Sequence, residues 1–319
     1  MRDLPDHHDD KWWYSEHAAA KHEILRRYLG AWLSILAQSR DRPRLVLLDG
    51  FAGRGRYMGG EPGSPVIMFE RSVQVVDEGR AREVWIRCAE ANPHNFSEHL
   101  EQVCAGLHHP GVKVVARRQE FIEAADALAS WAEGQRPPPP IFVMADPFGF
   151  SGVRLDTIRR LMQLPRAEVL LTFMAESMNR FYGQPHAEAA LTAFFGGDEW
   201  RRPVDGDDRS ESLLLTYRRL VVPAVARHAL AFRVFRDDRR SVLYYLVHLT
   251  NNDKGMREMK RAMVAQSGDM TFWPVTLRPP AQLELDTREQ PPYPSLQRHL
   301  VERYAGRELT FEMLLNEDY

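Results

Sequence analysis

The sequence predicts an α/β fold in which a mostly parallel sheet carries helices on both faces. Short aliphatic runs that end in an acid or a glycine turn indicate buried strands. Amphipathic stretches fill the intervals, beginning with residues 15–38, where Ser15 is a candidate helix cap. Strands that alternate with helices in this way form a parallel sheet, because each connection must cross back over the sheet.

Seven strands are predicted, of which the first five are parallel. The last two form an antiparallel hairpin joined by the charged turn 236–240. The predicted strands are residues 44–49, 84–90, 112–116, 141–146, 168–174, 231–235 and 242–249. The predicted helices after the first are residues 65–77, 93–105, 120–134, 155–163 and 256–265.

The strands belong to one predicted domain, residues 1–277. Within this domain, residues 175–231 have a mostly helical pattern, and we expect them to be a helical insertion before the last strands. Residues 278–294 contain five prolines and are predicted to be a linker. Residues 295–319 begin a helical C-terminal segment in this interpretation.

The composition is that of a globular protein of 319 residues with 44% hydrophobic residues. No apolar run approaches the roughly 18 residues that a membrane span needs, and residues 1–10 are too polar for a secretory signal. The two cysteines, Cys88 and Cys104, lie outside any CxxC or Cys/His cluster. We therefore expect no zinc site and a reduced, cytoplasmic setting.

The net charge of −2 gives no bulk basicity of the kind that marks many nucleic-acid-binding proteins. Only five of the 42 basic residues are lysine, a bias that is common in proteins of high-GC bacteria. The arginine fork suits phosphate recognition, and folding could bring several arginine clusters to one face. The clusters are Arg117-Arg118, Arg159-Arg160, Arg201-Arg202, Arg236 with Arg239-Arg240, and Arg257 with Lys260-Arg261.

The most informative motif is the glycine turn Asp49-Gly50-Phe51-Ala52-Gly53-Arg54-Gly55, which directly follows a predicted strand. Glycines here let the backbone approach a bulky ligand without a Cβ in the way. The turn resembles the first motif of S-adenosylmethionine (SAM) methyltransferases, in which an acid and an F-x-G-x-G turn pass under the methionine part of SAM. A Rossmann dinucleotide motif is excluded, because Met58 stands where its third glycine should fall.

Two further predicted strand ends add candidate SAM contacts. Glu90 ends the second strand and can accept hydrogen bonds from ribose hydroxyls. Gln119 and Glu120 follow the third strand, and we expect one of them to lie near the adenine. A solvated strand-end carboxylate is the alternative interpretation of Glu90.

The fourth predicted strand ends in Asp146-Pro147-Phe148-Gly149. This sequence resembles the [Asp/Asn/Ser]-Pro-Pro-[aromatic] motif of methyltransferases that act on amino groups of bases, although the second proline is missing. In that motif the polar side chain accepts hydrogen bonds from the target amine, and the aromatic ring stacks on the base. Asp146, Pro147 and Phe148 are therefore the candidate catalytic residues, and a plain strand-end turn is the alternative.

Polar and aromatic residues near the N-terminus are predicted to have structural roles. We interpret His17 and Lys21 as exposed polar positions of the first helix, although both could reach the site. Residues 12–14, Trp-Trp-Tyr, could stack on a base, but we expect them to cover the core.

The chain also resembles the bacterial three-Cys-motif partner protein family over roughly residues 15–275. The matching segments are Lys21-His22-x-Ile24-Leu25-x-x-Tyr28-Leu29-x-x-Trp32, Asp49 to Tyr57 with Gly63-Ser64-Pro65, Asp146 to Gly149, Phe195-Gly196 with Trp200, Tyr244-Tyr245 with Thr250, and Met259-Lys260-x-Ala262-Met263. The resemblance implies a class I methyltransferase fold that binds SAM, and a neighbouring protein with three clustered cysteines as partner. It also implies that residues 295–319 begin a winged-helix-like segment.

The function predicted from these motifs is SAM-dependent methyl transfer to a nitrogen of a nucleic-acid base, in DNA or RNA. One alternative is a non-catalytic partner protein that binds SAM or RNA. Another is a Mg²⁺-dependent nuclease, in which Asp49, Glu90 and Asp146 hold the metal.

Overall fold

The strands of the described residues form one sheet of eight strands. The structure, a computed structural model, describes residues 12–37, 44–206, 208–235 and 241–266, and the backbone of residues 272–275. The strand order across the sheet is β3-β2-β1-β4-β5-β7-β6-β8. The strands are β1 (Arg44–Asp49), β2 (Glu83–Glu90), β3 (Val112–Arg118), β4 (Ile141–Ala145), β5 (Ala167–Phe173), β6 (His228–Phe235), β7 (Val242–Thr250) and β8 (Phe272–Val275).

Helices fill the connections between strands, as the alternating sequence pattern requires. A π-helical segment, Phe96–Leu100, lies between α3 and α4, and a short 3₁₀ helix, Glu199–Arg201, lies between α8 and α9. The helices are α1 (Glu16–Ala37), α2 (Ser64–Asp77), α3 (Pro93–Asn95), α4 (Glu101–Ala105), α5 (Phe121–Glu133), α6 (Leu155–Gln163), α7 (Ala175–Phe181), α8 (Pro185–Phe195), α9 (Arg209–Val221) and α10 (Asp253–Gln266).

The directions of the strands confirm the predicted fold class. Strands β1 to β5 are parallel, whereas β7 is antiparallel to both β5 and β6. Five parallel strands followed by an antiparallel pair is the arrangement expected of a class I methyltransferase sheet. Strand β6 begins at His228, before the predicted Ala231, because its ladder with β7 continues to the pair His228 and Thr250. The short β8, which was not predicted, pairs antiparallel with β6 and extends the edge.

The sheet separates two hydrophobic cores, which explains why its central strands are continuous aliphatic runs. Leu45 and Leu47 point toward the core of α1, α2 and α10, whereas Val46 and Leu48 point toward the core of α5, α6, α8 and α9. All four side chains are fully buried.

Three helices lie between β5 and β6, in the segment predicted to be an insertion. Their aromatic side chains pack around Phe173 of β5, with ring centroids 5.6 Å from Phe194 and from Tyr217. This packing fixes α8 and α9 against the sheet. The turn 236–240, the proposed linker 278–294 and the segment 295–319 lie outside the described residues. Within the described part of the chain, no helix is both long enough and apolar enough to cross a membrane.

The parallel strands place their carboxyl ends at one edge of the sheet. Asp49 ends β1 and Glu90 ends β2, while Asp146 directly follows β4, which pairs with β1. The topology therefore brings the three predicted acids to the same side. In open α/β sheets, ligands bind outside this edge.

Candidate active site at the carboxyl end of the sheet

The glycine turn after β1 has a backbone that requires glycine. Gly53 and Gly55 have φ angles of +59° and +76°, in the left-handed region that L side chains rarely adopt. The second glycine loop packs directly on the first, since the Gly63 N–H donates to the Gly55 carbonyl at 3.0 Å. A Cβ on Gly63 would lie 2.6 Å from that carbonyl oxygen. The two loops therefore form one rigid unit of closely packed backbone.

The carboxylate of Glu90 fastens this unit to the end of β2. It accepts hydrogen bonds from the Gly53 N–H at 2.9 Å and from the Asn92 N–H at 2.7 Å. The side chain is 7% exposed, so these bonds form where water competes poorly. Glu90 is therefore no solvated strand-end carboxylate, and it contacts the glycine turn itself.

Asp49 is a fully buried acid beneath the same turn. Its Oδ1 accepts a hydrogen bond from the Phe51 N–H at 3.3 Å, whereas its Oδ2 has no hydrogen-bond partner. Burial raises the pKa of Asp49 to about 7, against the lowering influence of the Ser64 hydroxyl and the Phe51 N–H. A buried carboxylate oxygen without a partner leaves an acceptor available to a bound ligand.

The two residues after β3 differ in their surroundings. Gln119 lies beside the acid of β2, because its N–H donates to the Glu90 carbonyl at 3.2 Å. Glu120 caps helix α5 in a reciprocal capping box with Glu123. Since the Glu120 side chain already serves this cap, Gln119 is the better placed of the two for a ligand contact.

Phe51 and Phe121 form one wall of the turn. Their ring centroids lie 5.4 Å apart, and a Cβ on Gly50 would fall 2.2 Å from the Phe121 ring. Glycine at position 50 is therefore needed to let the Phe121 ring pack closely. This is a packing role rather than a ligand-binding role.

The third predicted acid, Asp146, is held by two residues that the sequence analysis did not assign to the site. Its carboxylate accepts from the Lys21 ammonium and from the Thr172 hydroxyl of β5. Lys21 is buried, so its interpretation as an exposed helix position was wrong. Burial disfavours its charge, but the Asp146 carboxylate together with Tyr244 and Tyr57 outweighs that effect and raises the pKa of Lys21 above its ordinary value.

Aromatic side chains surround this ion pair. His22 stacks on Tyr14 at 5.7 Å between ring centroids, and Tyr57 lies 4.9 Å from Tyr14. Burial and the neighbouring Lys21 charge lower the pKa of His22 to about 3. His22 is therefore neutral at physiological pH.

Trp12 covers the glycine turn, and its expected role in covering the core was wrong. A Cβ on Gly53 would lie 2.8 Å from the Trp12 ring, and the Trp12 carbonyl accepts from the Met58 N–H at 2.8 Å. The ring also meets Phe148 edge-on at 5.8 Å. Phe148 is 62% exposed, whereas Pro147 before it is buried. The site thus has an exposed aromatic rim beside the turn.

The three acids do not form a metal centre. Among the described residues, one group of three has its candidate ligand atoms within 4.8 Å of one another, and it consists of His94, Glu98 and His99 near the surface. Asp49, Glu90 and Asp146 are not such a group.

The fold and these strand ends together define a protein with the class I methyltransferase fold. No family model matches the chain, and no curated protein matches it. Its membership of the three-Cys-motif partner family therefore stays a prediction.

Several solved structures resemble the chain remotely. The protein LPL1258 from Legionella pneumophila is 12% identical, with a TM-score of 0.44 over 81% of this chain and 95% of that chain. Human methyltransferase-like protein 13 in complex with SAH is 13% identical, with a TM-score of 0.37 over 84% and 96%. The methyltransferase domain of METTL16 is 14% identical, with a TM-score of 0.29 over 72% and 83%. Similarities this low carry no argument about activity.

The raised pKa of Asp49 predicts that this acid destabilises the free protein at neutral pH. Its pKa in the folded protein, about 7, exceeds its ordinary value of 3.8. The protonated carboxyl therefore stabilises the folded state fully below about pH 4, and this stabilisation is lost as pH rises to 7. We expect Asp49→Asn to need more urea to unfold than wild type at pH 8. Its free energy of unfolding should be higher by up to ~4 kcal/mol, because each unit of pKa shift corresponds to about 1.4 kcal/mol.

Urea unfolding of both proteins at pH 4 and pH 8 checks this prediction. The difference between them should vanish at pH 4, while Asp156→Asn, at an exposed surface position, should show no such pH dependence. A difference of the same size at both pH values would contradict a raised pKa for Asp49.

Proposed function

We propose that this protein is a SAM-dependent methyltransferase whose acceptor is a nitrogen of a nucleic-acid base. The observation that carries the proposal is the Glu90 carboxylate bound to the Gly53 N–H. This bond joins the acid of β2 to the glycine turn after β1. SAM, a nucleoside with an amino-acid tail, would contact both of these elements at once.

The residues at the strand ends fit SAM. Asp49 supplies an orphaned, buried carboxylate oxygen beside the turn, which suits a cationic or hydrogen-bond-donating group. The backbone of residues 50–55 would lie along the methionine part, Glu90 would accept from the ribose hydroxyls, and Gln119 would lie near the adenine. Bound SAM supplies an electrophilic methyl group. Trp12, which packs on Gly53, would border the same space.

The acceptor side would be built around Asp146. Its carboxylate already accepts from Lys21 and Thr172, and a carboxylate has lone pairs for further donors such as an exocyclic amine. Lys21 and Thr172 hold the carboxylate in place, so that it can orient the acceptor nitrogen by accepting its hydrogen bond. The exposed ring of Phe148 offers a surface on which a base can stack.

A second candidate function is a non-catalytic partner protein that binds SAM or RNA, in partnership with a three-Cys-motif protein. One observation favours it. The Lys21 ammonium already donates to the Asp146 carboxylate, which is the group that the acceptor amine would bind. If that ion pair does not admit another donor, Asp146 is structural. The nuclease alternative has no support of this kind, because its three acids do not converge on one point.

SAM binding is the first expectation of the proposal. Calorimetric titration of wild type should give a micromolar Kd, since SAM contacts both strand ends. Glu90→Ala removes the acceptor of the Gly53 N–H and should weaken SAM at least ~10-fold, the loss of one charged hydrogen bond. Gly53→Val should abolish binding, because Gly53 combines a positive φ with close packing.

The matched control is Gly79→Val. Gly79 has a similar positive φ of +66° but has open space around it at the end of α2, so this variant has the same backbone strain away from the site. Wild type that binds neither SAM nor its demethylated product would refute the proposal.

Catalysis by Asp146 is the second expectation. With radiolabelled SAM and total bacterial RNA and DNA as acceptors, Asp146→Ala should lower methyl transfer at least ~100-fold, because the acceptor nitrogen loses the hydrogen bond that orients it. SAM affinity should change little, because Asp146 lies on the acceptor side. Asp156→Ala, which removes an exposed acid, is the control. Undiminished methylation by Asp146→Ala would exclude Asp146 from the reacting centre.

A further inference from the structure

A groove lies on the α5 face of the sheet, between β2 and β3, and of the predicted site residues Gln119 reaches its lining. Its volume is about 270 Å³. We call it the β2–β3 groove and define it by Trp85, Arg87, Lys113, Val115, Arg117 and Gln119. Alanine side chains of α5, at positions 124 and 127, form its opposite wall and leave the space open.

The register of the two strands explains why charged residues meet here. Trp85 pairs with Lys113, Arg87 with Val115 and Ala89 with Arg117, and alternate residues share one face of a parallel sheet. Arg87 and Arg117 therefore lie two positions apart on adjacent strands and on the same face. The sequence cluster Arg117-Arg118 is divided by this alternation, because Arg118 points to the opposite face.

In the part of the chain that the structure describes, no acid pairs with either arginine of the groove. Among the described residues, neither Arg87 nor Arg117 forms an ion pair, whereas Arg44 and Lys113 share the Glu83 carboxylate at 2.7 Å and 3.0 Å. Burial and the Arg117 charge together lower the pKa of Arg87 below its ordinary value. Two neighbouring guanidinium groups without an acid repel each other, and an anion between them would offset that repulsion.

Flat aromatic surfaces accompany the charges. The rings of Trp85 and Trp131 stack at 5.5 Å with an interplanar angle of 27°. The Arg87 guanidinium lies 5.0 Å from the Trp131 ring, and Val115 beside it is 48% exposed. Of the two rings, Trp85 lines the groove, with the Arg44 guanidinium over it at 4.0 Å. Aromatic rings interleaved with basic groups are a combination that recurs in single-stranded nucleic-acid sites.

The groove is separate from the glycine turn but reaches the same edge of the sheet. Arg87 lies three residues before Glu90, which corresponds to roughly 10 Å along the strand at about 3.3 Å per residue. Gln119, next to Glu90, is at the mouth of the groove. A ligand in the groove would therefore lead toward the strand ends.

We infer that the β2–β3 groove binds a backbone phosphate of a single-stranded nucleic acid, through Arg87 and Arg117. The inference deepens the proposed function and rests on it, because it places part of the acceptor strand beside the site. The volume is close to the ~300 Å³ lower limit of ordinary ligand pockets, so it suits a nucleotide-sized part of the strand. An acidic peptide would match the charge but would make less use of the aromatic surfaces.

The test is fluorescence anisotropy with a labelled oligouridine strand of about 12 nucleotides, a length that spans an ordinary single-strand site. We expect the double variant Arg87→Gln/Arg117→Gln to bind at least ~10-fold more weakly than wild type. The slope of log K against log salt should become shallower by about 0.7, the value for the one phosphate that the variant no longer neutralises.

The matched control is Arg71→Gln/Arg159→Gln, which removes two positive charges elsewhere. Arg71 bonds Gln74, and Arg159 pairs with the exposed Asp156. This control should retain most of the affinity. The inference is wrong if wild type does not bind the strand, if both double variants bind alike, or if a polyglutamate peptide of equal charge binds as tightly as the strand.

Calorimetry with SAM separates this inference from the proposed function. The groove variant should keep the wild-type affinity for SAM, which also shows that it folds. Strand binding that depends on the two arginines, together with no SAM binding, would leave the groove assignment standing and refute the methyltransferase. SAM binding without any strand binding would refute the groove assignment and leave the methyltransferase proposal standing.

Discussion

The hydrogen bond from the Gly53 N–H to the Glu90 carboxylate is the interaction on which the site depends. It ties a left-handed turn to the end of the neighbouring strand, and the second glycine loop is in turn packed on that turn through Gly63 and Gly55. Without the acid, a turn with two positive φ angles would have one anchor fewer and a buried N–H without its partner. The same carboxylate is the one proposed to meet the ribose, so folding and binding share a group.

The site places several charged groups at or near the carboxyl ends of the parallel strands. Asp49 is buried with an unpartnered oxygen, and Asp146 needs Lys21 to offset its charge. Arg87 and Arg117 add a like-charge pair a short distance along β2 and β3. The buried Asp49 and the arginine pair are unfavourable for the free protein and become less so with a suitable ligand, whereas Asp146 is already paired within the protein. Such costs are typical of positions that are kept for binding or chemistry.

Much of this architecture could be predicted from the sequence, because the relevant information is local. Aliphatic runs ending at Asp49, Glu90 and Asp146 placed three acids at one edge, and the topology confirms their common side. Lys21 was missed because its partner is 125 residues away. Its position one turn before Ile24 and Leu25, on the apolar face of α1, was the available signal. The spacing of Glu120 and Glu123 likewise indicated a cap rather than a ligand. The Arg87 and Arg117 pair depends on strand register, which sequence alone does not fix.

The most direct test of the central claim is a crystal structure with S-adenosylhomocysteine, the demethylated product of SAM. We expect its amino-acid end to lie over residues 50–55 and its ribose hydroxyls to donate to Glu90. We also expect Gln119 to contact the adenine and Asp146 to face the sulfur from the open side. A ligand bound elsewhere, with no contact between its ribose and Glu90, would contradict the assignment of the glycine turn as a SAM site.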